Sequence, residues 1–234
     1  MTSKYAWNLA YVLHIRAFRE TSLLVELFSQ EHGRITAVAR GAKRGAAKTS
    51  SIMQPFMPLQ VSFYGDGDLV TLTGVEASGC NHQLYGRSAI CGLYINELLV
   101  KLMPKWDPCN LLFAGYESCL NNLAFGVDKN INNQIVLRKF ETLLLKSLGY
   151  GLQLTIEVDT RNTVQAQNYY TFDPILGPKL VHAQHATAIK GASLLALAAD
   201  NLEDPAVLLD IKRLMRIVLG HHLGARRLIT RELL

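Results

Sequence analysis

Five short runs of alternating polarity crowd residues 7–76, and this period of two restricts the fold of the chain more than any other feature. The candidate strands cover residues 7–15, 22–29, 34–40, 59–64 and 69–76. The last two flank Gly65-Asp66-Gly67-Asp68, whose composition is that of a hairpin turn. Five strands in this length fit a small closed barrel, and the pattern alone leaves an OB-fold and an SH3-like barrel both open. Near Gly79 the texture changes to longer segments. A boundary is expected there, with a five-stranded barrel over 1–79 and a mainly helical domain over 80–234, giving an α+β fold.

In the second part the apolar period becomes helical. Residues 84–103 place Ile90, Leu93, Tyr94, Leu98 and Leu102 on one stripe that Pro104 stops, and 111–123 form a second helix. Residues 131–148 carry Leu137, Phe140, Leu144 and Leu148 inward, with Gly149 placed to follow the C-cap. Asp204-Pro205 opens the last strong helix as N-cap and first-turn proline. Its inward stripe is Leu208, Ile211, Met215, Val218 and His222. Between these helices, residues 152–182 are rich in Thr, Asn and Gln and read as an irregular excursion with a short hairpin.

With 234 residues and 49% hydrophobic composition, the chain can bury one large or two small cores. Its net charge of +5 is spread over the whole length, so a polyanion-binding surface has to be a local patch. The first residues lack the pattern of a secretory leader and no apolar run reaches spanning length, so a cytoplasmic protein without membrane contact is expected. Cys80, Cys91, Cys109 and Cys119 are too far apart for the close ligand pairs of structural zinc, and read as reduced thiols.

The charge concentrates in one place. Between His32 and Gly65 there is no acidic residue, yet the segment carries Arg34, Arg40, Lys43, Arg44 and Lys48. On a strand, Ile35, Ala37 and Ala39 face one side while Arg34, Thr36, Val38 and Arg40 face the other, so two cations share a solvent face that continues into a basic loop. Residues 41–49 imitate a phosphate-cradling P-loop, but only three residues separate Gly41 and Gly45, and two alanines displace Lys48. A basic loop that meets many backbone phosphates is the simpler reading. Tyr64, opposite in phase to Leu59, Val61 and Phe63, is either a stacking platform for a base or a ring that seals the barrel end.

The pieces Val12-Leu13-His14, Gly33-Arg34, Ala39-Arg40-Gly41-Ala42-Lys43 and Gln54-Pro55-Phe56 resemble the RecO family of bacterial DNA repair proteins. Gly92-Leu93-Tyr94-Ile95-Asn96-Glu97-Leu98-Leu99, Leu137-Arg138-Lys139-Phe140-Glu141, Leu148-Gly149-Tyr150-Gly151 and Thr230-Arg231-Glu232-Leu233 follow in the same order. The resemblance chooses the OB-fold. It also implies binding of single- and double-stranded DNA, strand annealing, nucleoid association, and work alongside the single-stranded DNA-binding protein SSB, RecR and RecA. Some RecO members carry a zinc module after the Leu-Gly-Tyr-Gly segment; here residues 152–180 contain no cysteine, and no metal or other cofactor is expected. The resemblance further implies that the helical domain receives the acidic C-terminal tail of SSB. Arg138 is the first candidate for its carboxylate and Lys139 the second, with an intrahelical Arg138–Glu141 pair as the competing reading.

Lys212, Arg213, Arg216, Arg226 and Arg227, with Arg231 beyond, form another basic zone that either extends the DNA track or solvates the last helix. Glu97 lies on an apolar stripe without a second carboxylate at catalytic spacing, so a structural ion pair, for instance with Arg231, is preferred to catalysis. His182, His185, His221 and His222 lack a third ligand motif. The expected protein is a non-enzymatic recombination mediator that assists RecA loading on SSB-coated DNA. Its rivals are a nucleic-acid hydrolase or transferase with a hidden site, and a protein-binding module.

Overall fold

A computed structural model describes residues 4–42, 51–125 and 129–234, which divide into two compact units: 1–125 with 228–234, and 126–227. The first is built on strands β1 (Lys4–Phe18), β2 (Ser22–Ser29), β3 (Gly33–Ala39), β4 (Pro58–Tyr64) and β5 (Val70–Ala77). They close in the order β1-β2-β3-β5-β4, with β1 long enough to pair β4 through its first half and β2 through its second. A parallel β3–β5 pairing completes the barrel, so the α+β architecture with an N-terminal OB-type barrel is as expected. Its interior holds Ala10, Val12, Val25, Leu27, Ile35, Ala37, Leu59, Val61, Phe63 and Val70, the inward half of each alternating strand.

The barrel's outer face is apolar as well where β1 and β2 meet helices α1 (Gly86–Leu102) and α2 (Asn110–Phe125). Tyr11, Leu13 and Phe28 point outward yet are buried, with Phe28 against Phe113 (ring centroids 5.1 Å) and Tyr11 against Tyr116 (5.2 Å). A register shift between Val12 and His14 interrupts the β1–β2 ladder there. Asn96 Nδ2 donates to the carbonyls of Val12 and Leu13, and Tyr116 donates to Asn96 Oδ1 at 2.8 Å. The strands thus end near the expected boundary, at Ala77, but the compact unit runs on to Phe125 and takes back 228–234.

The second unit contains α3 (Lys129–Ser147), a sheet in the order β7-β6-β8, from β6 (Tyr169–Asp173), β7 (Gly177–Val181) and β8 (Ile189–Lys190), and helices α4 (Gly191–Ala198) and α5 (Pro205–Leu223). Asp204 caps α5 by accepting from the Ala206 amide at 2.8 Å. α3 ends as its sequence predicts: Gly149 takes φ +83°, and the Tyr150 amide reaches back to the Leu145 carbonyl. The segment before β6 is organised by one buried carboxylate. Glu157 accepts from the Tyr170 hydroxyl (2.9 Å) and from Thr160, while the Gln165 amide donates to the same tyrosine oxygen. Among the described residues no cluster of three His, Cys, Asp or Glu could hold a metal.

Candidate nucleic-acid interface

The pairing register draws one continuous row around the barrel. Lys4 pairs Tyr64, Tyr64 pairs Thr71, Thr71 pairs Val38, Val38 pairs Leu24 and Leu24 pairs Arg16. Directly paired residues project to the same side, and this row alternates with the buried interior set, so all six point outward. Arg16 is exposed at one end of the row, and Lys4 at the other. Tyr64 sits half-buried between Lys4 and Thr71, whereas the ring that stacks on Phe63 from within is Tyr5, at 4.7 Å.

Beside this row lies a cleft of about 780 Å³. The end of β1, the turn after it and the start of β2 supply residues 18–22, β3 and the residue that leaves it supply Val38 and Arg40, and β5 with the residue before it supplies Thr71 and Leu69. The Arg19 guanidinium lies over the Phe18 ring, 5.2 Å from its centroid, with Arg19 itself in the left-handed region at φ +51°. Arg40 is exposed and forms no ion pair among the described residues. Arg16, Phe18 and Arg19, which stand in cation–aromatic–cation order, escaped the sequence reading.

Arg34 corrects the expectation of a shared cationic face. Its Nη1 lies 3.0 Å from Glu26 Oε2 and its Nε donates to the Met103 carbonyl at 2.8 Å, with both charged side chains largely buried. Glu26 stands opposite Thr36, diagonal to Arg34, so the neutralising charge comes from the neighbouring strand rather than from the basic segment itself. Thr36 also donates to Glu26, at 2.9 Å. Lys43, Arg44 and Lys48 lie outside the described residues.

Within the second unit Arg138 is a second correction. It is buried and paired with the fully buried Glu141 at 3.0 Å, which is the competing intrahelical reading and leaves it no access to an incoming peptide. Lys139 is exposed and contacts Asp200 at 2.7 Å. Arg213, near Asp210, and Arg216 are exposed on α5, and Lys212 is half-buried. Arg226 donates through Nε to the Leu223 carbonyl and through Nη2 to that of His222, so it closes the helix end; Arg227 beside it is exposed.

Glu97 is structural, with partners other than Arg231. Its carboxylate accepts from the Ile229 and Thr230 amides at 2.9 Å each, from the Thr230 hydroxyl, and from Lys101 at 2.7 Å, which fixes the short 3-10 turn Thr230–Leu233 on α1. Burial pushes its pKa up, but Lys101, Thr230 and the two amides outweigh that and hold it at about 2. His222 stacks on Tyr150 at 4.0 Å, and burial and then His221 lower its pKa. His182 and His185 are exposed in the loop before β8.

Two family models match almost the whole chain: "Recombination protein O N terminal" over residues 4–80 and "Recombination protein O C terminal" over 86–232. A DNA repair protein RecO from Methylococcus capsulatus is 42% identical over 224 residues, covering 96% of this chain and 90% of that protein. Another, from Nitrosococcus oceani, is 44% identical over 227 residues, covering 96% and 91%. A third, from Coxiella burnetii, is 37% identical over 238 residues and covers both chains completely.

Proposed function

Because this chain belongs to the RecO family of DNA repair proteins, we propose that it is a recombination mediator whose barrel grips DNA phosphates through Arg16, Arg19 and Arg40, joined by Lys43, Arg44 and Lys48. The family places the chain in DNA repair and recombination; the mode of action is our reading. The observation that carries it is the outward row that ends in Arg16, next to a cleft that holds two further arginines. Few aromatic platforms accompany these cations, so affinity is dominated by phosphates and is tolerant of sequence and of strand number. That chemistry suits annealing, in which two mutually repelling strands are held together without either being read.

The same reading extends to partners. Lys139, rather than the buried Arg138, is the cation available to the SSB tail, and RecR acts with this protein in placing RecA on the exposed strand. Among the described residues no helix is long and apolar enough to cross a membrane. The deciding experiment measures DNA affinity across a salt series for wild type and for an Arg16→Glu, Arg19→Glu, Arg40→Glu triple variant. A large loss of affinity with a flatter salt dependence is expected; unchanged affinity and slope would refute the assignment.

A further inference from the structure

Phosphate binding explains the arginines but not the apolar side chains of the cleft that two of them line. A groove that only tracked a backbone would need cations and other polar groups along its walls. Here Arg19 and Arg40 stand at a hollow of about 780 Å³ with Phe18, Val38 and Leu69 among its walls. That size lies within the range of small-molecule pockets, which hold a ligand with an apolar body and a few polar contacts. Thr21, Ser22 and Thr71 add hydroxyls that both donate and accept. Leu69 is nearly half exposed, so an apolar side chain is kept at the rim of a charged cleft.

We propose that this cleft receives one unstacked nucleotide of single-stranded DNA, with its phosphate at Arg40 and Arg19 and its base against Phe18, Val38 and Leu69. The inference rests on the DNA-binding reading above and adds a subsite to it. Glu20, also in the lining, repels phosphate from its own corner and so orients the nucleotide towards Arg40. The Arg19 guanidinium already covers the Phe18 ring, and a base that enters exchanges this contact for a stack on Phe18 while Arg19 turns to the phosphate. A paired base cannot enter without being unstacked and unpaired, so the cleft favours single strands although the arginines alone accept either form. Its consequence for annealing is direct: a nucleotide held out of the stack is released once its complement arrives.

The test crosses removal of the bases with removal of the cleft wall. Affinities are measured for a short oligothymidylate, an abasic sugar-phosphate strand of equal length and a duplex, each with wild type, Phe18→Ala and Leu69→Asn. Loss of the bases should weaken wild-type binding about tenfold, and should weaken binding by either variant much less, with duplex affinity nearly unchanged throughout. Because Leu69 is at the rim, its variant keeps the test decisive if Phe18→Ala fails to fold. A base-removal penalty that persists in full in both variants, or none in wild type, overturns the cleft assignment while DNA binding stands. Wild type that binds neither strand overturns the DNA-binding reading itself.

Discussion

At the scale of single residues, the same side chain serves opposite purposes a few positions apart. Arg34 and Arg40 both lie outward in phase on or next to β3, but Arg34 is locked between Glu26 and the Met103 carbonyl while Arg40 is open to solvent. Arg34→Met should therefore cost about 3 kcal/mol, because it leaves the Glu26 carboxylate largely buried without its partner. The salt dependence of DNA binding should not change. Arg40→Ala should do the reverse, altering stability by less than about 0.5 kcal/mol and lowering the salt slope by about one. Denaturant melts set against salt titrations separate the two; a lowered salt slope for Arg34→Met would contradict this division. Glu97 gives a pH signature. Its folded pKa of about 2 is depressed, so its contribution is complete above the ordinary carboxylate range and is lost as pH falls towards that value. Glu97→Gln should destabilise the C-terminal turn by about 1–2 kcal/mol at neutral pH. In amide exchange, wild type and variant should differ in protection at Ile229 and Thr230 at neutral pH and converge in acid.

At the scale of elements, the β2–β3 hairpin is held by close approach as well as by its ladder. Gly33 takes φ +67°, and a Cβ built there would lie 2.3 Å from the Asp107 carbonyl oxygen, with the Trp106 amide bonded to the Arg34 carbonyl at 3.0 Å. Gly33→Ala faces both a left-handed backbone and a rigid neighbour, so a loss of more than about 2 kcal/mol in a thermal or urea melt is expected. A near-neutral melt would mean that the 104–109 loop yields. This contact also marks where the sequence stopped being informative. The five strands and the helices α1, α2, α3 and α5 were legible because each repeats its apolar period over at least five residues. β8, two residues long, and α4, eight residues of small and apolar side chains, offer too little pattern. The fate of Arg34 was hidden for another reason. A gap free of acids in the sequence says nothing about the adjacent strand, and only the register brings Glu26 to it. The exposure of Arg40 was legible because it follows the last strand residue. The cleft was not, since it joins a turn at 18–22 to residues 69 and 71, which no local pattern connects.

At the scale of the whole molecule, the barrel is not a self-sufficient piece. Tyr11, Leu13 and Phe28 are buried on its outside by α1 and α2, and the chain leaves this unit at residue 125 only to return for 228–234, where Leu228 is buried and Glu97 finds its acceptor contacts. Each of those three large side chains contributes about 1.5–3 kcal/mol when buried. Their sum is comparable with the roughly 5–15 kcal/mol by which a domain is stable at all. A fragment that ends at residue 79, where the strand pattern gives way, should therefore bind hydrophobic dyes and melt without cooperativity. A fragment of residues 1–125 regains the cover of both helices and should melt cooperatively, yet below the full chain, because Glu97 then keeps Lys101 but loses the Ile229 and Thr230 donors. Calorimetry of the two fragments beside the full protein checks the order. If 1–79 melted as sharply and as high as 1–125, the packing of Phe28 and Tyr11 against α2 would be incidental to the barrel, and the unit would end where its strands do.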